Sequence, residues 1–253
     1  MKIAILILIH EFTEQQQKMI KYLSQDFDIF IHIDKRSDIK PEVIEGISNN
    51  IFVYKKYKVY WGHYNQILAT LFLFKIANVN KIYNRFIFIS GSDLPIKTNQ
   101  QIKKFFENNN KEYLEFEEFP RKCWESGGFD RIDYFHVKSL SRGRTNRLVV
   151  LFTKVLNKIN TRIFIPVLKR LGLHRKRLGI KFYGGANWMD LTDNCVAQII
   201  QYTDDNPSYI RRFKYTRCAD EIFFQTIICK YGSFYNYLKS FIDDEIIYET
   251  GKT

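Results

Sequence analysis

Short apolar runs rich in β-branched and aromatic residues recur through the first half of the chain. They are Ile3–Ile9, Ile29–Ile33, Ile51–Tyr54 and Phe86–Ile89. Strands that a parallel sheet buries on both faces have this near-continuous apolar pattern. The first run is followed by His10-Glu11 and by no small-residue cleavage signal. We therefore interpret it as a buried strand and not as the apolar part of a secretory signal.

Segments with helical spacing of apolar residues separate these strands. They are Glu14–Leu23 and Tyr64–Ala77, and each can lay one face on a sheet. Thr98 followed by Gln101 forms a capping box, which predicts another helix directly after the loop Ser90–Lys97. The alternation predicts an α/β fold with a mixed, mostly parallel sheet flanked by helices.

The second half of the chain is less regular. A strand is predicted at Tyr113–Phe116, helices near Thr192–Tyr202 and Asp220–Lys230, and a Gly/Trp-containing segment at Phe182–Met189. The 253 residues are 45% hydrophobic, enough for a sizeable core, and no apolar run approaches the roughly 20 residues that span a bilayer. With no evident linker or repeat, we expect one domain over residues 1–253.

In an open α/β sheet, the ligand crevice lies outside the carboxyl ends of the strands. Three polar segments follow predicted strands and are expected there: His10-Glu11, Asp34–Arg36 and Ser90–Asp93. An Asp-x-Asp sequence, typical of metal sites in sugar-nucleotide enzymes, occurs at Asp26–Asp28. It precedes a strand instead of following one, so we interpret it as a solvated turn.

Several common enzyme classes are excluded by motif. The sequence has no GxGxxG, GxxxxGK[ST], HExxH or GxSxG pattern. Its four cysteines show neither a CxxC pair nor metal-ligand spacing, and we interpret them as reduced thiols in a cytoplasmic protein. His10, His32 and His63 lie near strand or helix ends, where single histidines are more often structural than catalytic.

The positive charge is concentrated in one segment. The net charge is +12, and residues 138–181 hold 13 basic residues and no acidic one, so the rest of the chain sums to −1. Within this segment, residues 147–159 form an amphipathic basic helix, and Arg175, Lys176 and Arg177 follow it. Such a helix fits an anionic membrane surface, and it equally fits a core-facing helix with a solvated basic side. Both interpretations stay open.

Four blocks of sequence, taken together, resemble the core-2/I-branching N-acetylglucosaminyltransferase and peptide O-xylosyltransferase family, glycosyltransferase family 14. They are Trp61–Ala69, Arg85–Thr98, Phe182–Trp188 and Ala219–Glu221. The resemblance implies a GT-A-type fold and an inverting, metal-independent transfer from a UDP-sugar, with no cofactor. It also implies a nucleotide-sugar-binding half at residues 1–110 and an acceptor-binding and catalytic half at residues 111–253.

The same resemblance implies roles for individual residues. Glu221 is similar to the catalytic base, and an inverting transfer needs one carboxylate to accept the proton of the attacking hydroxyl. Without a metal, lysine or arginine must neutralise the diphosphate. Donor contacts are implied for His10, Asp34, Trp61, Gly91, Ser92 and Asp93. Acceptor contacts are implied for Glu115, Arg121, Lys122, Trp124, Gly185 and Trp188.

The end of the sequence departs from the family pattern. Only 32 residues follow Glu221, without the aromatic, arginine- and lysine-rich ending of family members. A truncated chain and substitute cations both remain open as explanations. The candidate substitutes are Arg142, Arg144, Arg211, Arg212 and Arg217.

The family resemblance implies a UDP-N-acetylglucosamine donor, with UDP-xylose next, and a glycan acceptor. The basic helix suggests that this acceptor is lipid-linked at the inner membrane face. A nucleic-acid-binding protein is the weaker interpretation, because charge without a recognition motif is poor evidence. A catalytically silent sugar-binding protein of the same fold is the third, since fold alone does not guarantee function.

Overall fold

The computed structural model describes residues 1–136, 147–175 and 179–230 of the chain. Its strands are β1 (Ile3–Ile9), β2 (Asp28–Ile33), β3 (Ile51–Tyr54), β4 (Arg85–Ser90), β5 (Tyr113–Leu114), β6 (Glu117–Glu118), β7 (Tyr183–Gly184) and β8 (Met189–Thr192). Its α-helices are α1 (Glu14–Leu23), α2 (Pro41–Glu45), α3 (Tyr64–Ala77), α4 (Asn99–Phe106), α5 (Phe129–Asp133), α6 (Arg147–Ile159), α7 (Ile165–Arg170), α8 (Asp193–Asp205), α9 (Pro207–Arg212) and α10 (Asp220–Lys230).

A six-stranded sheet of order β3-β2-β1-β4-β8-β5 forms the centre of the molecule. β1 pairs in parallel with β2 and β4, β2 pairs in parallel with β3, and β8 runs antiparallel to β4 and β5. The predicted mixed, mostly parallel sheet flanked by helices is confirmed. The strand order reverses between β2 and β4 on either side of β1, and that switch point is where open α/β sheets bind ligands.

The alternation of side chains along β1 divides the core in two. Ile3, Ile5, Ile7 and Ile9 pack on the face covered by α1, whereas Ala4 and Leu6 pack on the face covered by α3 and α10. Because successive strand residues point to opposite faces, an apolar residue at every position means that both faces are buried. The continuous apolar pattern of β1 thus follows directly from its central place in the sheet.

The helix starts have the local signals that the sequence predicts. Thr98 accepts from the backbone N–H of Gln101, whose side chain accepts from the backbone N–H of Thr98, and Thr13 and Gln16 form a second capping box. Such reciprocal bonds satisfy backbone donors that the first turn of a helix leaves without partners. The predicted bounds of α1, α3 and α10 agree with the structure.

The strand predicted at Tyr113–Phe116 is wrong in length. Leu114 pairs with Met189 in the central sheet, while Glu117 pairs with Gly184 in a separate two-stranded sheet of β6 and β7. The chain therefore passes from one ladder to another at residues 115 and 116. This change of sheet leaves Glu115 outside both ladders, next to the loop between β7 and β8.

The Asp-x-Asp pair is held by side-chain contacts and is not the freely solvated turn that was expected. Asp26 pairs with Lys103 and accepts from Asn99 Nδ2 at 3.0 Å. Asp28 accepts the hydroxyl hydrogen of Tyr83 at 2.7 Å. Both carboxylates lie at the amino end of β2, opposite the carboxyl-end crevice.

The basic helix is confirmed over Arg147–Ile159 and continues through a π-helical turn at Asn160–Phe164 into α7. Most of its described apolar side chains face solvent, so the core-facing interpretation is wrong for them, whereas Leu156 is half-buried. Leu148 is 74% exposed and Phe152 is 62% exposed. The other exposed members of this apolar face are Leu151, Val155, Ile159, Ile163, Phe164, Val167, Leu171 and Leu173.

Arg175 does not belong to the surface on which the sequence analysis placed it. Its side chain is buried and donates from Nη2 to the carbonyl oxygen of Arg212 at 2.5 Å. Burial, with the nearby charge of Arg212, lowers the pKa of Arg175 to about 10. Lys176 and Arg177 lie outside the described residues, as do Lys138, Arg142 and Arg144.

Candidate active site

A cavity of about 390 Å³ opens at the carboxyl ends of β1, β2 and β4. That volume lies within the range of small-molecule sites, about 300–1,000 Å³. The cavity is lined by four of the residues predicted to lie at a substrate site, together with Arg36 and Ser90. These four are His10, Asp34, Trp61 and Trp188. The three polar strand ends that the sequence singles out therefore meet at one place.

Asp34 lies at the end of β2 and holds the guanidinium of Arg36. Nε of Arg36 donates to both carboxylate oxygens at 3.1 Å, Nη2 also pairs with the carboxylate, and the backbone N–H of Arg36 donates to Oδ1 at 2.9 Å. Arg36 also stacks on Tyr60, with Cζ 3.9 Å from the ring centroid. A donor contact of Asp34 would therefore share its carboxylate with Arg36.

The loop after β4 is folded by its own side chains. Asp93 Oδ2 accepts from the backbone N–H of Ser90 at 2.6 Å, and Ser90 Oγ accepts from the backbone N–H of Ser92 at 3.0 Å. Gly91 is required for close packing, because a Cβ there would lie 2.6 Å from Gln16 Nε2 and 2.9 Å from Ile9 Cγ2. Asp93 and Gly91 thus shape the rim of the cavity, of which Ser90 is a lining residue.

The Trp61 loop packs against the residues that precede α10. Gly62 has φ +63°, and a Cβ on it would lie 3.3 Å from Cys218 Sγ. Its carbonyl oxygen accepts from the backbone N–H of Ala219 at 3.4 Å. Trp61 itself is 72% exposed at the mouth of the cavity. Two of the sequence blocks that carry the family resemblance are thereby in direct contact.

Glu221 lies in the first turn of α10, where the helix dipole favours an acidic residue. Its Oε2 accepts from Nη1 of Arg131 at 2.6 Å, and its side chain is 29% exposed. The guanidinium of Arg131 lies over the indole of Trp124, 3.6 Å from the ring centroid. Glu221 is therefore a partly accessible carboxylate with one oxygen held by a cation.

A second carboxylate–arginine pair also lies next to Trp124. Arg121 Nη2 pairs with Oε1 of Glu115, and the Arg121 guanidinium lies 4.7 Å from the Trp124 ring centroid. Oε2 of Glu115 accepts from the backbone N–H of Ala186 at 3.1 Å. Two arginines, each paired with a glutamate, therefore lie close to the same indole ring.

Gly185 contacts the main chain of both glutamates, Glu221 and Glu115. Its N–H donates to the carbonyl oxygen of Glu221 at 2.9 Å. A Cβ on Gly185 would lie 1.9 Å from the carbonyl oxygen of Glu115, so no larger residue fits without movement of the backbone. The loop between β7 and β8 therefore fixes the distance between the Glu115 segment and α10.

Asp220, next to Glu221, is a buried carboxyl group with an unusual environment. Burial raises its pKa to about 7, and the neighbouring charge of Glu221 acts in the same direction. Within the described part of the chain, its Oδ1 has no hydrogen-bond partner. Asp220 therefore takes up a proton near neutral pH, while Glu221 is the member of the pair that reaches the surface.

The predicted site residues fall into two groups. His10, Asp34, Trp61 and the Ser90–Asp93 loop surround the cavity, whereas Glu115, Arg121, Trp124 and Gly185 surround Glu221. Trp188, implied as an acceptor contact, lies in the first group, with its ring centroid 5.9 Å from that of Phe88. Lys122 is exposed, and its backbone N–H donates to Glu117 Oε1 at 3.2 Å.

Two of the three histidines near strand or helix ends have structural contacts. His32 is fully buried, and its Nε2 accepts from the backbone N–H of Tyr57 at 3.0 Å. Burial lowers the pKa of His32 to about 4, so it is neutral at physiological pH. His63 caps α3 by accepting from the backbone N–H of Asn65. The structural interpretation is confirmed for both.

Arg131 was not predicted from the sequence, whereas Arg36 belongs to the segment Asp34–Arg36 that was expected at the crevice. Arg36 has a recognisable signal, since it comes two residues after Asp34 at a strand end. Arg131 has none, because it is 90 residues from Glu221 along the chain. Of the candidate diphosphate cations, Arg212 instead donates from Nη2 to the carbonyl oxygen of Ile132 at 3.0 Å. Among the described residues that line the cavity, Arg36 is the one arginine or lysine.

A family model described as "Core-2/I-Branching enzyme" matches residues 3–239. The chain belongs to this family. The resemblance drawn from the four sequence blocks is thereby confirmed. The match spans the cavity, the Trp61 loop and α10, so both groups of site residues lie within the residues that the family model covers.

Curated relatives support a glycosyltransferase. The chain is 26% identical over 241 residues to "Xylosyltransferase 2" of Homo sapiens and of Pan troglodytes, and 25% identical over 239 residues to "Xylosyltransferase 1" of Rattus norvegicus. These alignments cover 90% of this chain and 24–26% of the relatives. The chain thus spans about a quarter of the length of the relatives that it matches.

The comparison with solved structures gives a more distant likeness. The crystal structure of 4-diphosphocytidyl-2C-methyl-D-erythritol synthase has a TM-score of 0.40 and 8% identity, and covers 85% of this chain and 87% of that one. A likeness at this level says nothing about substrate. The assignment of the chain to its family therefore rests on the match to the family model.

Proposed function

We propose that this family member is an inverting glycosyltransferase that moves N-acetylglucosamine from UDP-N-acetylglucosamine to a hydroxyl group of a glycan acceptor. One observation carries the proposal: a partly exposed carboxylate, Glu221, starts the helix whose preceding residues pack on the loop of Trp61 at the mouth of the cavity. A nucleotide sugar in the cavity would bring its sugar towards that helix.

Glu221 acts as general base in this proposal. The acceptor oxygen forms a bond to the anomeric carbon while the bond from that carbon to the UDP oxygen breaks, and the hydroxyl proton goes to Glu221. A positioned base of this kind contributes roughly 10²–10⁴-fold to rate. Because one oxygen of Glu221 is held by Arg131, the other is the oxygen that takes the proton.

The proposed reaction needs no metal. The one Asp-x-Asp sequence is held by Lys103, Asn99 and Tyr83 at the opposite end of β2. Within residues 1–136, 147–175 and 179–230, no group of three or more His, Cys, Asp or Glu side chains could hold a metal ion. Arginine or lysine side chains would then neutralise the departing UDP, which carries most of the developing charge.

The acceptor sugar is proposed to bind beside Trp124, between Glu115 and Glu221. Glu115 is 39% exposed and its carboxylate is oriented by Arg121 and by the backbone of Ala186. A carboxylate fixed in this way can accept hydrogen bonds from sugar hydroxyl groups. This assigns the residues around Glu221 to the acceptor and the cavity to the donor.

Calorimetric titration with UDP and UDP-sugars in the presence of EDTA tests the proposal. Binding of UDP-N-acetylglucosamine without metal is expected. UDP-xylose is the second donor in the titration, because the curated relatives are named xylosyltransferases. Binding that requires manganese would contradict the metal-independent mechanism, and binding without donor hydrolysis or transfer would favour a catalytically silent sugar-binding protein.

We further propose that the acceptor is lipid-linked and that the protein works at the cytoplasmic face of an anionic membrane. The support is the continuous exposed apolar face of α6 and α7 beside Lys154, Lys158, Arg162, Lys169 and Arg170. Helices with this distribution lie in the membrane interface. None of the helices in the described parts of the chain is long and apolar enough to cross a bilayer.

Vesicle sedimentation tests the membrane contact. Vesicles of phosphatidylcholine with phosphatidylserine are expected to bind the protein more tightly than vesicles of phosphatidylcholine alone, because basic side chains near an anionic surface each contribute about 1 kcal/mol. Equal partition into both kinds of vesicle would mean that the basic side chains do not contribute to binding. No partition into either kind would argue against the membrane contact.

A further inference from the structure

Arg131 is the cation that holds the proposed base. Its Nη1 donates to Glu221 Oε2 at 2.6 Å, and its side chain is 12% exposed, so water screens the pair only partly. The pair joins α5 to the first turn of α10, two elements far apart in the sequence. No other described side chain is recorded in a hydrogen bond or ion pair with the Glu221 carboxylate.

The position of Arg131 is itself fixed by Trp124. The guanidinium lies 3.6 Å from the ring centroid, close enough for a cation–π contact. Trp124 in turn cannot shift, because Gly128 and Gly184 leave no room beside it. A Cβ on Gly128 would lie 2.7 Å from Trp124 Cε3, and one on Gly184 would lie 2.5 Å from Trp124 Cη2.

The backbone of Arg131 supports the same contact. Its carbonyl oxygen accepts from the backbone N–H of Arg217 at 3.2 Å, which ties α5 to the segment that leads into α10. Side chain and main chain of one residue therefore position both the carboxylate of Glu221 and the start of its helix. A residue with only a surface ion pair would have neither restraint.

We propose that Arg131 is a positioning residue that holds one oxygen of Glu221 and turns the other towards the acceptor. This inference rests on the proposed role of Glu221 as general base. Replacing Arg131 by an uncharged residue would remove the one hydrogen-bonded side chain, among the described residues, that holds the Glu221 carboxylate.

The Glu221 carboxylate lies between charges of both signs. Asp220 precedes it on α10, and Arg131 approaches it from α5. The charge of Glu221 raises the pKa of the buried Asp220, whereas the charge of Arg131 lowers it. Arg131 therefore also offsets part of the repulsion within the Asp-Glu pair.

The first measurement is independent of catalysis. Carboxyl carbon NMR of the unmodified chain, Arg131→Met and Arg131→Lys follows Glu221, which the Glu221→Gln variant identifies by the loss of its signal. In Arg131→Met the chemical shift of Glu221 is expected to change, because the hydrogen bond to Oε2 is lost, and Arg131→Lys is expected to restore most of the original shift. An unchanged chemical shift in Arg131→Met would overturn the inference.

The second measurement is UDP release from UDP-N-acetylglucosamine at saturating donor. Arg131→Met is expected to lower kcat at least about tenfold with UDP affinity unchanged, and Arg131→Lys is expected to recover part of that loss. Lys104→Met, which removes an exposed charge on α4, is the matched control and should behave as the unmodified chain. Arg131→Gln replaces Arg131→Met if that variant does not fold.

The two proposals fail in different ways. If Glu221→Gln keeps most of the turnover, the base lies elsewhere and the proposed function of Glu221 is wrong, whatever Arg131→Met does to the Glu221 signal. If Glu221→Gln is inactive but Arg131→Met has the original kcat and the original Glu221 chemical shift, Glu221 is the base and Arg131 does not position it.

Discussion

Gly185→Ala tests whether the loop between β7 and β8 holds the candidate active site together. A Cβ on residue 185 would lie 1.9 Å from the carbonyl oxygen of Glu115 and 2.5 Å from its carbonyl carbon. These are main-chain atoms that cannot rotate away, so they must move by about 1.5 Å to reach an ordinary contact distance of about 3.4 Å.

That movement breaks two hydrogen bonds. The N–H of Gly185 loses the carbonyl oxygen of Glu221, now at 2.9 Å, and the N–H of Ala186 loses Oε2 of Glu115, now at 3.1 Å. An unsatisfied buried group costs about 1–3 kcal/mol. The Glu115 side chain is 39% exposed and water replaces part of its bond, so we expect a loss of about 2–4 kcal/mol in the free energy of unfolding.

The effect on activity should exceed the effect on stability. A displacement of about 1 Å in the position of a reacting group can cost about 100-fold in rate. The hydrogen bond from the Gly185 N–H to the carbonyl oxygen of Glu221 helps to set the distance between Glu221 and Glu115. Urea unfolding and UDP release from UDP-N-acetylglucosamine measure the two quantities separately. Gly46→Ala is the control, since Gly46 has helical φ and ψ of −64° and −8° at the end of α2.

A loss below about 1 kcal/mol together with near-normal turnover in Gly185→Ala would refute this reasoning. It would mean that the Glu115 backbone yields easily and that the distance between the two carboxylates is not set by the loop. Strong destabilisation with normal turnover at saturating donor would show that the loop stabilises the fold but does not position Glu221.

Three further predictions concern the base, the buried histidine and the exposed apolar face. Glu221→Gln should nearly abolish transfer and leave UDP binding intact in calorimetry, because only the proton acceptor is lost. Because burial lowers the pKa of His32 to about 4, the free energy of unfolding falls by about 3 kcal/mol as the pH falls from 6.5 to about 4. His32→Gln removes this titration and should therefore make urea unfolding less sensitive to acid between pH 7 and 4.5. Leu151→Ser with Phe152→Ser should weaken partition into phosphatidylserine vesicles at least about tenfold, since each buried side chain contributes about 1.5–3 kcal/mol, whereas the equally exposed Val79→Ser should not.

The first half of the fold was predictable because its signals are local. The strand Ile3–Ile9 and the helices Glu14–Leu23 and Tyr64–Ala77 have the bounds expected from apolar patterning. Capping depends on residues three apart, which the sequence shows directly. The polar residues at the carboxyl ends of β1, β2 and β4 could likewise be placed together, because parallel neighbours end at the same edge of a sheet.

The second half was less predictable because its structure depends on distant partners. Nothing in Tyr113–Phe116 indicates that Leu114 and Glu117 pair with different strands. Arg175 resembles a surface charge in a run of basic residues, yet its N–H donates to Asp133 and its guanidinium to Arg212. The Glu221–Arg131 pair could not be predicted from the sequence for the same reason. The two residues are 90 positions apart, so no local spacing indicates their contact.

The proposed base and the mouth of the proposed donor cavity are held by one segment of main chain. Gly62, next to Trp61, packs on Cys218 and accepts from the backbone N–H of Ala219, and Glu221 follows two residues later. On its other side, the segment from Arg217 to Ala219 is held by the carbonyl oxygen of Arg131. We therefore expect a ligand that displaces Trp61 on entering the cavity to move the segment that leads to Glu221, against the contacts of Arg131. The residues that would carry this movement come from three separate regions of the sequence.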